Sequence, residues 1–347
     1  MDFSGVPLIL CRWHSDSETR AFFTHKRELR DADACLRAAE LDNFDILKYV
    51  YEGGCPLDER VCNEAARCGR LDMLQWLREQ SPPCPWGVET MKGVISSIAL
   101  RSTPGLLATF NWMRAQDPPC PWDSSVWGGM FSNYITLPKM EWLRSAGCPW
   151  DASTLALAAG ETLELVQWMR AQDPLCPWDE TVVASAARRQ RMKTLQWLRA
   201  QDPPCPWDIT ACRNAPVCTL KWLRAQDPPC PWDETVCAAA ARIDAVDVLK
   251  WLRAQDPPCP WDETVCVAAA STQQYQAMMW LRSQDPPCPW DESVCEAAVT
   301  HPNFFKWLRA RNPPCPCSKE VLEKARIFAD STGFGWMVDD GVVSYLS

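Results

Sequence analysis

Cysteine is the residue whose number and spacing first suggest chemistry. A Cys-Pro pair recurs at Cys55, Cys84, Cys120, Cys148, Cys176, Cys205, Cys230, Cys259, Cys288 and Cys315. Thiols at regular spacing would serve as a metal or redox ladder. Equivalent residues of stacked helices stand about 8–10 Å apart, the usual spacing of packed helices. That is too far for a disulfide, which needs Cα atoms within about 7 Å, and too far for sulfurs sharing one zinc ion at about 2.3 Å. Within one unit, Cys230 and Cys237 are the candidate close pair. The second position is Met91, Trp127, Leu155, Val183 or Leu322 in other units, which marks a buried apolar site. The thiols are therefore expected to pack as small apolar groups. No metal, cofactor or catalytic residue is assigned, and a thiol-rich metal or redox binder stays a minor alternative.

Tryptophan forms two columns. One runs through Trp76, Trp112, Trp142, Trp168, Trp197, Trp222, Trp251, Trp280 and Trp307; the other follows the Cys-Pro pairs, from Trp86 to Trp290. Ligand stacking is one role for such rings. Packing between units is the other and is preferred, each ring burying on the order of 200 Å². Arginines such as Arg78, Arg199, Arg224 and Arg253 follow the first column, with Asp202, Asp227 and Asp256 just beyond. A track for a polyanion competes here with a solvated ladder of weak surface ion pairs, which the alternation of acids and bases favours. A local basic cluster, Arg188, Arg189, Arg191 and Lys193, is the candidate contact for an acidic partner. Trp127 is added because it breaks an otherwise uniform position. His14, His25 and His301 enter no recognisable constellation, and no P-loop, dinucleotide glycine motif or H-E-x-x-H is present.

The elements that position these residues come from a repeat. Successive Cys-Pro pairs are 25 to 36 residues apart, a period that signals a solenoid or a propeller. The unit from Cys230 reads CPWDETVCAAAARIDAVDVLKWLRAQDPP. Asp233 or Thr235 caps a first helix. Val236, Cys237, Ala240 and Ala241 give it a small-residue face. Val248, Leu249, Trp251 and Leu252 form the stripe of a second helix. Asp256-Pro257-Pro258 ends that helix, since proline cannot continue it. Alanine and leucine richness, with prolines in the loops, excludes a propeller blade.

Residues 65–78, AARCGRLDMLQWLR, and residues 153–170, STLALAAGETLELVQWMR, resemble the ankyrin repeat, whose second half reads AA, two variable residues, G-H-L-E and I-V-K-L-L-L. The likeness covers roughly residues 31–330 and is most similar to divergent Cys-Pro-Trp ankyrin-like arrays of protists and large DNA viruses. It implies an all-α solenoid of about ten helix-turn-helix units, with short Pro-rich loops in place of β-hairpin fingers. Residues 1–30 are read as an N-terminal cap or extension, 31–317 as the array, and 318–347 as a capping unit with a helix over 320–329. Residues 84–119 carry an insertion, and residues 205–229 are short, with Pro216 cutting off the first helix.

A net charge of −9 and a pI near 5.0 argue against nucleic acid, which wants a basic face, and against an anionic membrane. Free thiols in number suit a reducing interior, so the chain is expected in the cytoplasm. The resulting expectation is a monomeric, non-enzymatic scaffold that binds an unknown protein partner. A substrate-recognition adapter for a ubiquitin ligase is the runner-up, and it requires a recruiting element in residues 1–30. Partner contacts should come from residues that vary among the units, among them Asn63, Glu64, Gly128, Ala238, Asp244 and Gln273.

Overall fold

The computed structural model describes residues 32–101, 103–131, 135–213, 215–332, 336–339 and 342–345. The expected N-terminal cap over residues 1–30 lies outside them. Two compact units divide the chain, residues 1–157 and 158–347. Across the described residues run ten helix pairs, from Ala32–Glu40 with Phe44–Glu52 to Glu292–Ala297 with Pro302–Arg309. A further helix, Lys319–Thr332, follows them.

In most pairs the leading helix is started by the aspartate that follows Cys-Pro-Trp or, at Asp58, Cys-Pro-Leu. Asp58, Asp179, Asp233, Asp262 and Asp291 each accept a bond from the backbone N–H two residues on. That satisfies one of the donors a helix start leaves open, a contribution of about 1 kcal/mol per cap. At residue 233 the aspartate is the cap, with Thr235 N–H donating at 3.0 Å. Leading helices lie side by side within each unit, Glu59–Cys68 against Val88–Arg101 in the first and Glu234–Arg242 against Glu263–Ser271 in the second. Ala240, Ala241, Ala269 and Ala270 keep that seam thin. Trailing helices bury Leu249 and Leu252 or their equivalents, and end at the Asp-Pro-Pro run. Eight of the X–Pro bonds there are cis.

The turn inside a pair needs a left-handed residue. Gly69 fills it with φ +73°, while Asp42, Gln190, Asp244 and Gln273 adopt φ of 55–59°. Such backbone costs a side-chain-bearing residue about 1–2 kcal/mol. These residues gain something in return, because each reaches the next turn. The Asp244 carboxylate accepts from Ala277 N–H at 2.6 Å, Asp42 pairs with Arg70, and the Gln273 amide meets His301 at 2.9 Å. Gly69 has no such reach, and a Cβ there would sit 3.0 Å from the Leu106 side chain. Gly69→Ala is therefore expected to destabilise the first unit by about 1–2 kcal/mol. A shift of the urea midpoint under about 0.3 kcal/mol would show the turn to be relaxed.

The insertion in residues 84–119 lengthens both helices of its pair, Val88–Arg101 and Pro104–Ala115, with Thr103 capping the second. No β-hairpin finger interrupts the described pairs, in line with short Pro-rich loops. One departure from an all-helical chain stands at the end. Trp336–Asp339 and Val342–Tyr345 pair antiparallel, with Trp336 opposite Tyr345. β-Branched residues flank Asp340-Gly341 in the sequence, a strong hairpin signal that outweighs the helical context. Among the described residues, no helix is long and apolar enough to cross a membrane.

Candidate functional site

Most residues that looked chemical are consumed in one joint, built the same way in successive pairs. At its centre is a guanidinium. Arg253, in the last turn of a trailing helix, donates from Nη1 to the Cys259 carbonyl at 2.6 Å. Its carbon lies 4.0 Å from the centre of the Trp261 ring. Gln255 returns a bond to the Trp251 carbonyl at 2.8 Å, and Cys259 N–H donates to Leu252 at 3.1 Å. Across the seam, the Cys259 thiol donates to the carbonyl of Asp233, the cap of the preceding pair, at 3.3 Å. Arg114, Arg170, Arg199 and Arg224 repeat the arrangement on Cys120, Cys176, Cys205 and Cys230. One side chain thus closes the loop, positions the tryptophan and leaves the cysteine to tie two caps together.

The geometry corrects the expected ion-pair ladder. Those arginines point into the joint, while Asp202, Asp227 and Asp256 stand exposed in the loops. Both tryptophan columns are half-buried and meet edge to face, Trp232 with Trp251 at 6.2 Å and Trp261 with Trp280 at 6.1 Å between centroids. With a guanidinium on a face and a second indole at the edge, the rings work as packing groups.

The cysteines also pair differently from their sequence spacing. Cys237 neighbours Cys259 of the next pair rather than Cys230 of its own, and Cys266 neighbours Cys288. The hydrogen bond with that neighbour, together with burial, pushes the Cys259 and Cys288 thiols upward. Among the described residues, no group of three or more His, Cys, Asp or Glu side chains is arranged to hold a metal ion. Cys120, Cys148 and Cys205 are pushed by burial from 9.0 up to about 12. The fold favours their neutral form, so their contribution is whole below pH 9 and is lost as pH rises toward 12. Urea midpoints should accordingly fall between pH 9 and pH 11. The drop should shrink in a C120A/C148A/C205A variant, and equal slopes for both proteins would contradict it.

The five candidate contact residues separate into two places. Trp127 is fully buried, its indole N–H donating to the Pro149 carbonyl at 2.8 Å and its ring stacked on Trp150. It offers a partner no surface. Arg188, Arg189, Arg191 and Lys193 are exposed at the turn of one pair in the second unit. Arg189 meets Glu161 at 3.3 Å, and Arg191 meets the same carboxylate at 4.0 Å and the Gly160 carbonyl at 2.9 Å. Exposed pairs of this kind hold about 0–1 kcal/mol each, so these cations stay available to a competing anion. Sequence reasoning passed over Arg213, Arg242 and Ile243 on the same edge, and Ile243 is 73% exposed. Their one signal is the 25-residue interval from Cys205 to Cys230.

No family model matches the chain, and no curated protein matches it. Among solved structures it is similar to the pentatricopeptide repeat protein PPR10 in complex with an 18-nt psaJ RNA element. That likeness has a TM-score of 0.40 and 14% identity, over 92% of this chain and 52% of the other. It is also similar to PPR10 from maize, with a TM-score of 0.27 and 10% identity over 87% of this chain and 61% of the other. The chain spans about half the length of these proteins. They share its class of fold, stacked helical repeats. The exclusion of nucleic acid drawn from net charge does not stand against this finding, in which the repeat protein PPR10 is in complex with RNA. Net charge sums acidic and basic edges together and is blind to a local basic face.

Proposed function

We propose that this protein is a non-catalytic scaffold of ankyrin-like helix pairs that holds a protein partner on the turn edge of its second unit. One observation carries the reading. The residues that recur in every pair are engaged in the joints, whereas those that differ between pairs crowd the turns and are exposed. A surface that varies over a constant frame is what repeat proteins use for recognition. His301 contacts Gln273 and the Ser271 carbonyl at 2.9 and 3.2 Å, an arrangement that ties two turns together. Buried free thiols support a reducing, intracellular setting.

The test is affinity capture of the full chain from its native cells, followed by cross-linking mass spectrometry. A stoichiometric protein cross-linked to the turns of residues 158–347 is the expected result. Recovery of RNA in place of protein, or of nothing above a scrambled-surface control, would overturn the reading.

A further inference from the structure

The short pair of the second unit leaves a gap in the turn edge. From Cys176 to Met192, the start of its trailing helix, is 16 residues, and from Cys230 to Val246 is again 16. Between them, Cys205 to Val217 is only 12. The start of each leading helix is fixed in the same register, because the next thiol bonds the cap carbonyl at Asp179, Asp208 and Asp233. The trailing helices are all eight residues long. The four missing residues must therefore come off the turn edge. The leading helix Ile209–Arg213 has five residues where its neighbours Glu180–Arg188 and Glu234–Arg242 have nine. At 1.5 Å per residue, the edge steps down by about 6 Å, over a width of about one helix, 10–12 Å.

Basic side chains surround this slot. Arg188 and Arg242 end the two flanking helices, both exposed, twelve residues after their cysteines. Arg213 lies eight residues after its own, at the height of Ala184 and Ala238, and so stands in the floor, exposed. Exposed Cys218, in the first turn of the trailing helix, has its thiol 3.7 Å from the Gln190 side chain on one wall. Ile243 crowns the other wall, 73% exposed. Three acids lie nearby: Glu161 is met by Arg189, Asp244 accepts from Ala277 N–H, and Asp247, fully exposed at the start of its trailing helix, stands 3.7 Å from Lys250. The opposite, loop edge is acidic, with Glu180, Asp202 and Asp227 exposed.

We infer that the slot binds a short acidic segment of a partner protein that places an apolar side chain against Ile243. This rests on the scaffold reading above and names the partner's chemistry. Complementary charge draws the segment in and fixes its register. The width admits one extended chain. A long polyanion leaving the slot across the helix pairs meets the acidic loop edge, whereas a peptide of about six residues, roughly 20 Å, does not.

Fluorescence anisotropy on the full chain tests it, using labelled Glu-Glu-Leu-Glu-Glu-Leu and, in parallel, labelled hexauridylate. The peptide should bind saturably, and weaken about tenfold or more when Arg188→Glu and Arg242→Glu are combined. Arg213→Glu and Ile243→Asp should each weaken it severalfold, while Lys319→Glu, at the start of the last helix, should leave it unchanged. All these positions are exposed, so thermal melts should match the parent. Failure of the peptide to saturate, indifference to the double charge reversal, or tighter binding of hexauridylate would each overturn the assignment. A captured partner that cross-links outside the slot would sink this inference and leave the scaffold reading standing. An array that captures nothing would sink that reading itself.

Discussion

Trp127→Ala should cost the first unit about 3–5 kcal/mol, the largest single loss expected in the chain. The position explains the size. Cys62, Met91, Leu155 and Val183 stand at the same place in other leading helices, all fully buried. Around Trp127 the helix Val126–Phe131 is only six residues long and contains Gly128-Gly129. Gly129 brings the helix so close to its neighbour that a Cβ there would lie 2.1 Å from the Ser96 hydroxyl. A short, thin helix leaves volume that the indole fills, and the indole N–H finds the Pro149 carbonyl. Trp127→Phe keeps most of that volume and loses the bond, so about 1–2 kcal/mol is expected. Repeat arrays open locally, which makes hydrogen exchange over residues 126–131 and 137–145 the sharper readout beside urea unfolding. A loss below about 1 kcal/mol for the alanine variant would mean that the ring is dispensable filling.

That residue also shows where the sequence misleads. An odd tryptophan at a small-residue position reads as a surface anchor, yet it compensates for two glycines that follow it. Whatever repeats locally is legible: the helix pair, the aspartate cap, the proline stop and the small-residue seam all follow from spacing within a dozen residues. What the repeated residues touch is not. Arg253 reaches Trp261 only because the intervening loop turns back, and spacing alone makes Asp256 the obvious partner. Cys259 bonds across the seam to Asp233, a contact that depends on how pairs stack. The shortened interval after Cys205 is plain in the sequence, but its consequence appears only once the helix starts are known to be in register. The terminal strand pair lies outside the repeat, and a capping unit with a helix over 320–329 does not foretell it.

Removing the arginine of a joint is the second large effect. Arg253→Ala deletes a charge-assisted bond to the Cys259 carbonyl, worth about 1.5–3 kcal/mol. It also deletes the stacking on Trp261, worth about 0.5–1 kcal/mol. A total of about 2–4 kcal/mol is expected from urea unfolding of the full chain. Arg253→Lys should recover little of it, because an ammonium cannot lie flat on an indole and reach the carbonyl at the same time. Arg253→Met, which keeps the stem over the ring, should fall between the two. The outcome separates two roles for the repeated arginines. Were they a track for a polyanion, their removal would leave stability unchanged within about 0.5 kcal/mol and weaken binding instead. A joint predicts the reverse, together with coupling: in a double-mutant cycle, Arg253→Ala and Trp261→Ala should be non-additive by about 1 kcal/mol. Additivity would mean that ring and guanidinium merely lie near each other, and the Cys-Pro-Trp motif would lose its claim to be the joint between helix pairs.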